Sequence, residues 1–340
     1  MVYLLPTEEQ LEVTGQVGDF LSGEFPLARF REGAAPHDLS QWQSLIGYGL
    51  TGLGASEAAG GSGLPLTDET LIFREMGRAL LSPAVLASAM ANRIAATQGL
   101  EDIAAALIGG SQRACLALPC EPGHPAEGLY LLDYEEADLV LIASPGQLQL
   151  FPIAGWEIEQ GDPLDESLSL GRSAGPAGEP LAVGDEPFVS QFVLLCAAQL
   201  TGMSEEARDL AVDYAKMREQ FGRPIGSFQA IKHRCADMAI RTEIALAQLY
   251  RASVTARDQA ADAGFHAAAA FQLANRAAQE NAAAAIQIHG GIGFTAECDV
   301  HWLLKRAHVM AMLNISSLAE PAVFLRSGLG REGPEEIADA

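Results

Sequence analysis

The stretch REQFGRPIGSFQAIKHRCADM, residues 218–238, lies between two long apolar segments and decides how the second half of the chain folds. Gly222 can adopt the left-handed conformation that often ends a helix, so we expect a helix to end at Phe221. Pro224 cannot continue that helix because it lacks an amide hydrogen. Ser227 is suited to cap the next helix. Taken alone, the stretch predicts a corner between two helices.

The side chains at this corner are suited to bind a diphosphate and a flat ring. Arg218 presents a planar guanidinium that matches the geometry of a diphosphate. Gln220 and Gln229 offer neutral donors and acceptors. An apolar bed for a ring system can be formed by Phe221, Ile225, Phe228 and Ile231. A plain helix corner without a ligand remains the alternative interpretation.

A second stretch, AIQIHGGIGFTAECDVHWLLKRA at residues 285–307, carries the adjacent glycines Gly290 and Gly291. These glycines predict the end of an alanine-rich helix. They also let a phosphate or an amide approach the backbone closely, and Gln287 lies one turn earlier to support such a ligand. We interpret His289 as a helix-end group, because no partner carboxylate is evident in the sequence. A simple helix cap remains the alternative for the two glycines.

Outward from these stretches, the chain divides by the spacing of its apolar residues. Long helical segments are predicted at 188–221, 228–256 and 265–289, and a shorter one from Asp299 to about Asn314. Before them, short apolar or alternating runs between Gly and Pro are typical of strands. These runs are RACLALP, GLYLLDY, ADLVLIA and LQLFPIAGWEI, all within residues 113–183.

The first part of the chain, residues 1–105, is predicted to be helical. Residues 7–10 (TEEQ) can cap a first helix, and residues 67–69 (TDE) can cap a later one. Further helices are expected from Pro83 to about Gln98 and near Ile103. The order helices, strands, helices predicts the α+β class. The expected divisions are a helical domain at 1–110, a small β domain at 111–184, a helical bundle at 185–330 and a polar tail at 331–340.

Composition excludes several classes of protein. The chain has 340 residues, of which 49% are apolar, so it can bury a sizeable core. Its 21 basic and 44 acidic residues give a net charge of −23, which argues against nucleic acid and anionic membranes as partners. The sequence shows no membrane span and no signal peptide. The five cysteines are scattered without metal-ligand spacing, so we expect no metal site and a reducing cytoplasm.

The two stretches together resemble the acyl-CoA dehydrogenase family. The resemblance is carried by an R-x-Q-F-G-x-P-I-x-x-F-Q corner, followed by I-Q-x-H-G-G-x-G-F. In the first half, GLTGLGASEAAGGSGL and REMGRALLSP are similar to a loop of that family and to the helix that follows it. The resemblance covers nearly the whole chain. It implies an N-terminal helical domain, a middle β domain and a C-terminal four-helix bundle.

The resemblance also implies a cofactor. In that family, the corner and the Gly-Gly segment bind the ADP half of an FAD that is held mostly by the neighbouring subunit. The positions that match are Arg218, Gln220, Phe221, Ile225, Phe228, Gln229, Gln287, Gly290 and Gly291. The chain therefore resembles a donor of the second half of an FAD site.

The chain departs from the family at the groups that hold the flavin ring and at the base. The middle domain of the family usually carries T-E-P-x-A-G-S-D, whereas this chain has CEPGHPAEG at residues 120–128. The two positions where the family places its catalytic Glu hold Asn314 and Phe192, and an amide or a phenyl ring cannot accept the proton. The nearest carboxylates are Glu186 and Glu320, which we interpret as surface residues. No catalytic residue is therefore assigned to this chain.

Heteromeric members of the family combine a shortened subunit with a partner that carries the base, in α2β2 assemblies of bacterial steroid side-chain degradation. The resemblance therefore implies a subunit of an FAD-dependent acyl-CoA dehydrogenase that acts on a bulky, perhaps steroidal, acyl-CoA. It implies a homologous partner with the catalytic Glu, and an electron-transfer flavoprotein or similar acceptor. Two alternatives stay open: a self-sufficient flavoenzyme with a relocated base, and a structural paralogue without flavin.

Overall fold

The structure is a computed structural model that describes residues 4–32, 39–121, 124–176 and 178–316. The polar tail expected at 331–340 and the carboxylate Glu320 lie outside these residues. Part of the segment at 120–128 also lies outside them.

Five helices form the N-terminal part: α1 (Glu8–Glu24), α2 (Leu39–Gly47), α3 (Leu66–Arg78), α4 (Pro83–Thr97) and α5 (Glu101–Ile108). The predicted cap of α1 is confirmed, because Thr7 Oγ1 accepts from the Gln10 amide at 3.2 Å and Gln10 Oε1 accepts from the Thr7 amide at 2.9 Å. The predicted cap of α3 is wrong. The helix starts after Pro65, and the Thr67 hydroxyl donates to Asp68 Oδ2 at 2.9 Å instead of accepting from the backbone.

A seven-stranded sheet follows, with the order β5-β6-β2-β1-β3-β4-β7. Its pairs are antiparallel except for β1 with β3, which run parallel. The four predicted runs correspond to β1–β4, whereas the sequence did not indicate β5–β7 because each has two to four residues. The strands are β1 (Ala114–Glu121), β2 (His124–Leu132), β3 (Leu139–Ser144), β4 (Gln147–Pro152), β5 (Glu159–Gln160), β6 (Leu170–Ser173) and β7 (Ala182–Gly184).

Alternation along the strands separates two cores. Leu116 and Leu141 face the large core shared with the helices, whereas Cys115, Val140 and Phe151 belong to a smaller cluster on the other face. This is the period-two pattern of a sheet that is covered on both faces.

Four helices form the C-terminal bundle: α6 (Phe188–Met217), α7 (Gln229–Arg257), α8 (Ala263–His289) and α9 (Val300–Ala311). The alanine-rich α8 packs against the other three, since its small side chains let the helices approach closely. Asn281 on α8 is fully buried and donates to Ser204 Oγ of α6 at 2.8 Å. It also donates to the Met238 carbonyl and to Thr242 Oγ1 of α7, both at 3.0 Å.

The two helical parts contact each other directly through α3 and α6. A Cβ added at Gly77 would lie 2.0 Å from the Gln199 carbonyl oxygen, and one added at Gly202 would lie 1.9 Å from the Arg74 carbonyl oxygen. Only glycine permits such a close approach of two backbones. The helices of both halves therefore share one continuous core.

The end of α6 differs from the prediction. The helix ends at Met217, four residues before Phe221, and the chain then forms a hairpin of β8 (Glu219–Gln220) and β9 (Arg223–Pro224). Phe221 and Gly222 make its turn with φ values of 54° and 76°. A two-residue hairpin turn with positive φ at both positions matches the twist of its strands, which explains why the chain turns here. The predicted Ser227 cap is also wrong, because α7 begins at Gln229 after Phe228 and without a side-chain cap.

Across the described ranges, no helix is long and apolar enough to cross a membrane.

Candidate functional site

The hairpin at the end of α6 projects from the bundle and carries the first group of predicted site residues. Its base is fixed by the Ile225 amide, which donates to the Arg218 carbonyl at 2.8 Å. The Phe221 ring packs edge-on against Phe228 at 6.2 Å, and the Arg223 guanidinium lies 4.2 Å from the centre of the Phe228 ring. Phe221 is nevertheless 92% exposed. The hairpin thus presents an aromatic side chain to solvent on a defined backbone.

Arg218 is exposed at the start of this hairpin, and it forms no ion pair with any residue that the structure describes. Lys216, two residues earlier, is also exposed but pairs with Asp213 at 3.0 Å. Among 44 acidic side chains in the sequence, an unpaired guanidinium beside a rigid hairpin is available to an anionic ligand.

The Gly-Gly segment lies at the end of α8. Gly290 ends the helix with a φ of 69°, and a Cβ added at Gly290 or Gly291 would meet no atom within 4 Å. The backbone here is therefore open to a ligand. Gln287 is exposed one turn earlier on the same helix.

His289 joins the two segments. Its ring stacks on Tyr214 of α6 with the ring centres 4.2 Å apart, and its Nδ1 donates to the Ala285 carbonyl at 2.8 Å. Burial lowers the pKa of His289, although the hydrogen bond to the Ala285 carbonyl raises it in part. Tyr214 lies one turn before Arg218, so the hairpin and the Gly-Gly segment lie at the same end of the bundle. Sequence reasoning missed Tyr214, although its spacing of four residues from Arg218 could have indicated it.

The predicted site residues thus form two neighbouring groups on one end of the bundle. Six of them are exposed and three are partly buried, and no second wall of the described chain covers them. Large apolar side chains nearby are also exposed, including Met217 at 75% and Phe294 at 77%. A free guanidinium, side-chain amides, open glycine backbone and an aromatic ring fit the diphosphate and adenosine of a dinucleotide. The described chain leaves this candidate site open on one side.

The two positions proposed for a base contain no carboxylate. Phe192 is fully buried within α6. Asn314 follows α9, and its side-chain oxygen is buried without a hydrogen-bond donor in the described part of the chain. Glu186 is exposed and accepts from Ser190 Oγ at 2.7 Å, at the opposite end of α6 from Arg218.

Comparison with known proteins places these features in a family. Residues 7–104 match the acyl-CoA dehydrogenase N-terminal domain, and residues 193–314 match the acyl-CoA dehydrogenase C-terminal domain. The acyl-CoA dehydrogenase IpdE2 of Mycobacterium tuberculosis is 33% identical over 331 residues, covering 95% of this chain and 97% of the relative. The acyl-CoA dehydrogenase FadE34 of the same organism is 34% identical over 294 residues, covering 82% of this chain but 40% of the relative.

Solved structures share the fold. A steroid acyl-CoA dehydrogenase variant, Tcur3481-Tcur3483, superposes with a TM-score of 0.78 at 23% identity over 95% of this chain and 99% of the other. The ChsE4-ChsE5 complex from Mycobacterium tuberculosis gives a TM-score of 0.77 at 21% identity over the full length of both chains.

Proposed function

The chain belongs to the acyl-CoA dehydrogenase family, and from this membership we propose that it is the non-base subunit of a heteromeric, FAD-dependent enzyme. Its partner is a homologous subunit that supplies the catalytic Glu. The reaction is the α,β-dehydrogenation of an acyl-CoA. The observation that carries the proposal is an ADP-type half-site, exposed on one end of the bundle, in a chain with no carboxylate at either base position.

The half-site assigns each residue a binding role. Arg218 would contact the diphosphate, and Gln220, Gln229 and Gln287 would donate to the polar groups around it. Phe221, Ile225 and Phe228 would pack against the adenosine, and the backbone at Gly290 and Gly291 would lie against the cofactor. When bound, FAD supplies the acceptor for the hydride that leaves the β-carbon of the substrate.

The missing base supports a division of labour between two chains. Removing an α-proton requires a carboxylate or another base within hydrogen-bonding reach of that proton. Neither Phe192 nor Asn314 meets this requirement, and Glu186 lies at the far end of α6. A partner that carries the Glu and the wall for the flavin ring would complete both the cofactor site and the catalytic site.

The relatives support a partner of similar kind. IpdE2 is matched over almost its whole length, so that relative has the same shortened size. In FadE34 the matched region makes up 40% of the protein, which leaves room for a second dehydrogenase unit in the same chain. The ChsE4-ChsE5 structure is a complex of two named proteins. The length of FadE34 and the ChsE4-ChsE5 complex are both consistent with a chain that assembles with a second dehydrogenase unit.

A structurally similar enzyme supports a proposal for the substrate class. The Tcur3481-Tcur3483 enzyme is described as a steroid dehydrogenase, and we propose a bulky steroidal acyl-CoA for the complex of this chain. An electron-transfer flavoprotein or a similar acceptor would reoxidise the cofactor. The cysteines are free thiols, as expected for the reducing cytoplasm in which we place the protein.

The test is to purify the chain alone and after co-expression with a full-length homologue encoded beside it, and to compare flavin absorbance. The expected result is a chain that is nearly colourless alone and a complex that contains FAD. Stoichiometric FAD in the single chain, with turnover, would favour the self-sufficient enzyme. A colourless complex would favour a structural paralogue.

A further inference from the structure

A small cavity of about 40 Å³ lies away from the proposed FAD half-site. It is lined by the segment after α1, by α2, by the loop before α4, by the residue before β1 and by α9. Three arginines line it: Arg29, Arg113 and Arg306. Buried cations that lie this close together are stabilised by nearby negative or electron-rich groups.

Two of the arginines are compensated by the protein itself. Arg306 is 1% exposed, and its Nε donates to the buried Asp165 at 2.5 Å while its Nη2 donates to Ser167 Oγ at 2.8 Å. Among the residues that the structure describes, no carboxylate accepts a hydrogen bond from Arg29. Burial and the nearby charge of Arg306 lower the pKa of Arg29 to about 9. Its guanidinium is held by the carbonyls of Phe25, Pro26, Ala79 and Leu80.

The third arginine, Arg113, has carboxylates nearby, but none of the described ones contacts its guanidinium directly. Arg113 is 5% exposed, and its guanidinium forms neither a hydrogen bond nor an ion pair with the residues that the structure describes. It lies 4.1 Å from the ring of Trp42, which also lines the cavity. The indole Nε1–H of Trp42 is buried and has no acceptor in the described chain. Burial lowers the pKa of Arg113, although Glu136, Asp133 and Asp138 raise it in part.

We propose that this cavity binds a small monovalent inorganic anion such as chloride, held by Arg113 and Trp42. Both groups are hydrogen-bond donors without acceptor capacity, so a single anion can accept from both at once. The volume exceeds the roughly 10–15 Å³ that a single water needs and is too small for an organic ligand. The anion would bind between the helices of the two halves and the sheet, where it would add to stability.

The direct test is to crystallise the protein, alone or with its partner subunit, in sodium bromide and to locate bromide by anomalous scattering. The expected result is a buried bromide within hydrogen-bonding distance of Trp42 Nε1 and the Arg113 guanidinium. An empty cavity, a cavity that holds water alone, or bromide at surface arginines alone would overturn the proposal. This experiment does not use activity, so it is independent of the proposed function.

A second test measures thermal unfolding in chloride and in gluconate at equal ionic strength. A ligand that binds the folded state raises Tm with its concentration, so Tm should be a few degrees higher in chloride. The gain should be lost in Trp42→Phe, which keeps the ring, and in Arg113→Met. Arg276→Gln, at an exposed position of α8, is the matched control and should keep it. Equal chloride dependence in all four proteins would refute the anion site.

Discussion

Arg218 differs from most cations of the described chain in having no acidic partner. Arg78 pairs with Glu206 at 2.8 Å, and Arg241 pairs with Glu280 at 2.5 Å. The two charges of such a pair cancel, so the pair attracts an anionic ligand only weakly. An exposed and unpaired guanidinium contributes little to folding, so its removal should affect binding much more than stability.

Replacing Arg218 by Ala should therefore weaken FAD binding in the complex. A charge-assisted contact to a diphosphate contributes ~1.5–3 kcal/mol, which is about tenfold to over a hundredfold in affinity. The measurement is the FAD retained after dilution and gel filtration. Lys216→Ala, which removes an exposed charge one half-turn earlier, should retain the cofactor. Full retention by Arg218→Ala would make Arg218 a plain helix-end residue.

Asn281 illustrates the opposite kind of residue, one that acts through burial. Asn281→Ala removes the amide that joins α6, α7 and α8 and leaves the Met238 carbonyl without that donor. The expected loss is about 1–3 kcal/mol in the free energy of unfolding, measured by urea denaturation. Gln272→Ala, at an exposed position of the same helix, should change stability by less than about 0.5 kcal/mol. Equal effects of the two substitutions would contradict the role of the buried amide.

At the scale of secondary structure, the important feature is that α6 and α8 end together. The stack of Tyr214 on His289 joins the two ends, and the hairpin and the Gly-Gly segment extend from them. The proposed cofactor half-site is thus positioned by the packing of two long helices. Gln287 lies within α8, whereas Arg218, Phe221 and the two glycines lie beyond the helix ends.

The ring of His289 makes this junction sensitive to pH. Because burial lowers its pKa in the folded state, the unfolded chain binds a proton more readily. Above the ordinary pKa of about 6.5, His289 is neutral in both states and does not reduce stability. As pH falls below that value, the unfolded chain is protonated first, so the free energy of unfolding decreases. The wild-type protein should therefore lose more stability between pH 7.5 and pH 5.5 than His289→Gln does. His233→Gln, at an exposed position of α7, should behave like the wild type.

The helices were largely predictable from sequence, since spacing of apolar residues and the capping box of α1 are local signals. The hairpin at Phe221 was not. Gly222 fits equally well after a helix or in a two-residue turn, and the choice depends on the positive φ of its neighbour Phe221. Sequence motifs indicated the hairpin residues and the Gly-Gly segment separately. That these two segments lie close together depends on the contact of Tyr214 with His289, which no local sequence pattern encodes. The unpaired state of Arg218 likewise depends on the whole fold.

At the scale of the whole molecule, a single core is shared by both helical parts and one face of the sheet. The exposed apolar groups at one end of the bundle, such as Met217 and Phe294, lie next to the FAD half-site. A monomer gains nothing from such a surface, whereas the proposed assembly would bury it together with the cofactor. Catalytic competence is therefore expected of the assembly and not of the chain alone.

The proposed division of labour predicts that no carboxylate of this chain is the base. Glu186→Gln and Glu320→Gln, made separately in the complex, should each leave turnover near the wild-type value. Removing a true general base costs ~10²–10⁴ in rate, which such an assay resolves easily. Replacing the Glu at the matching position of the partner should produce that loss. Loss of turnover in either variant of this chain, with flavin still bound, would place the base here.

The glycine contact between α3 and α6 has a consequence for synthesis on the ribosome. Gly77 and Gly202 meet although the whole sheet lies between them in the sequence. At ~5–20 residues per second, α6 emerges on the order of 10 s after α3. During that interval the nascent N-terminal helices lack α6, the helix against which α3 packs. Any fragment that stops before α6 should therefore aggregate when expressed alone. Without α6, the apolar face of α3 stays exposed to solvent.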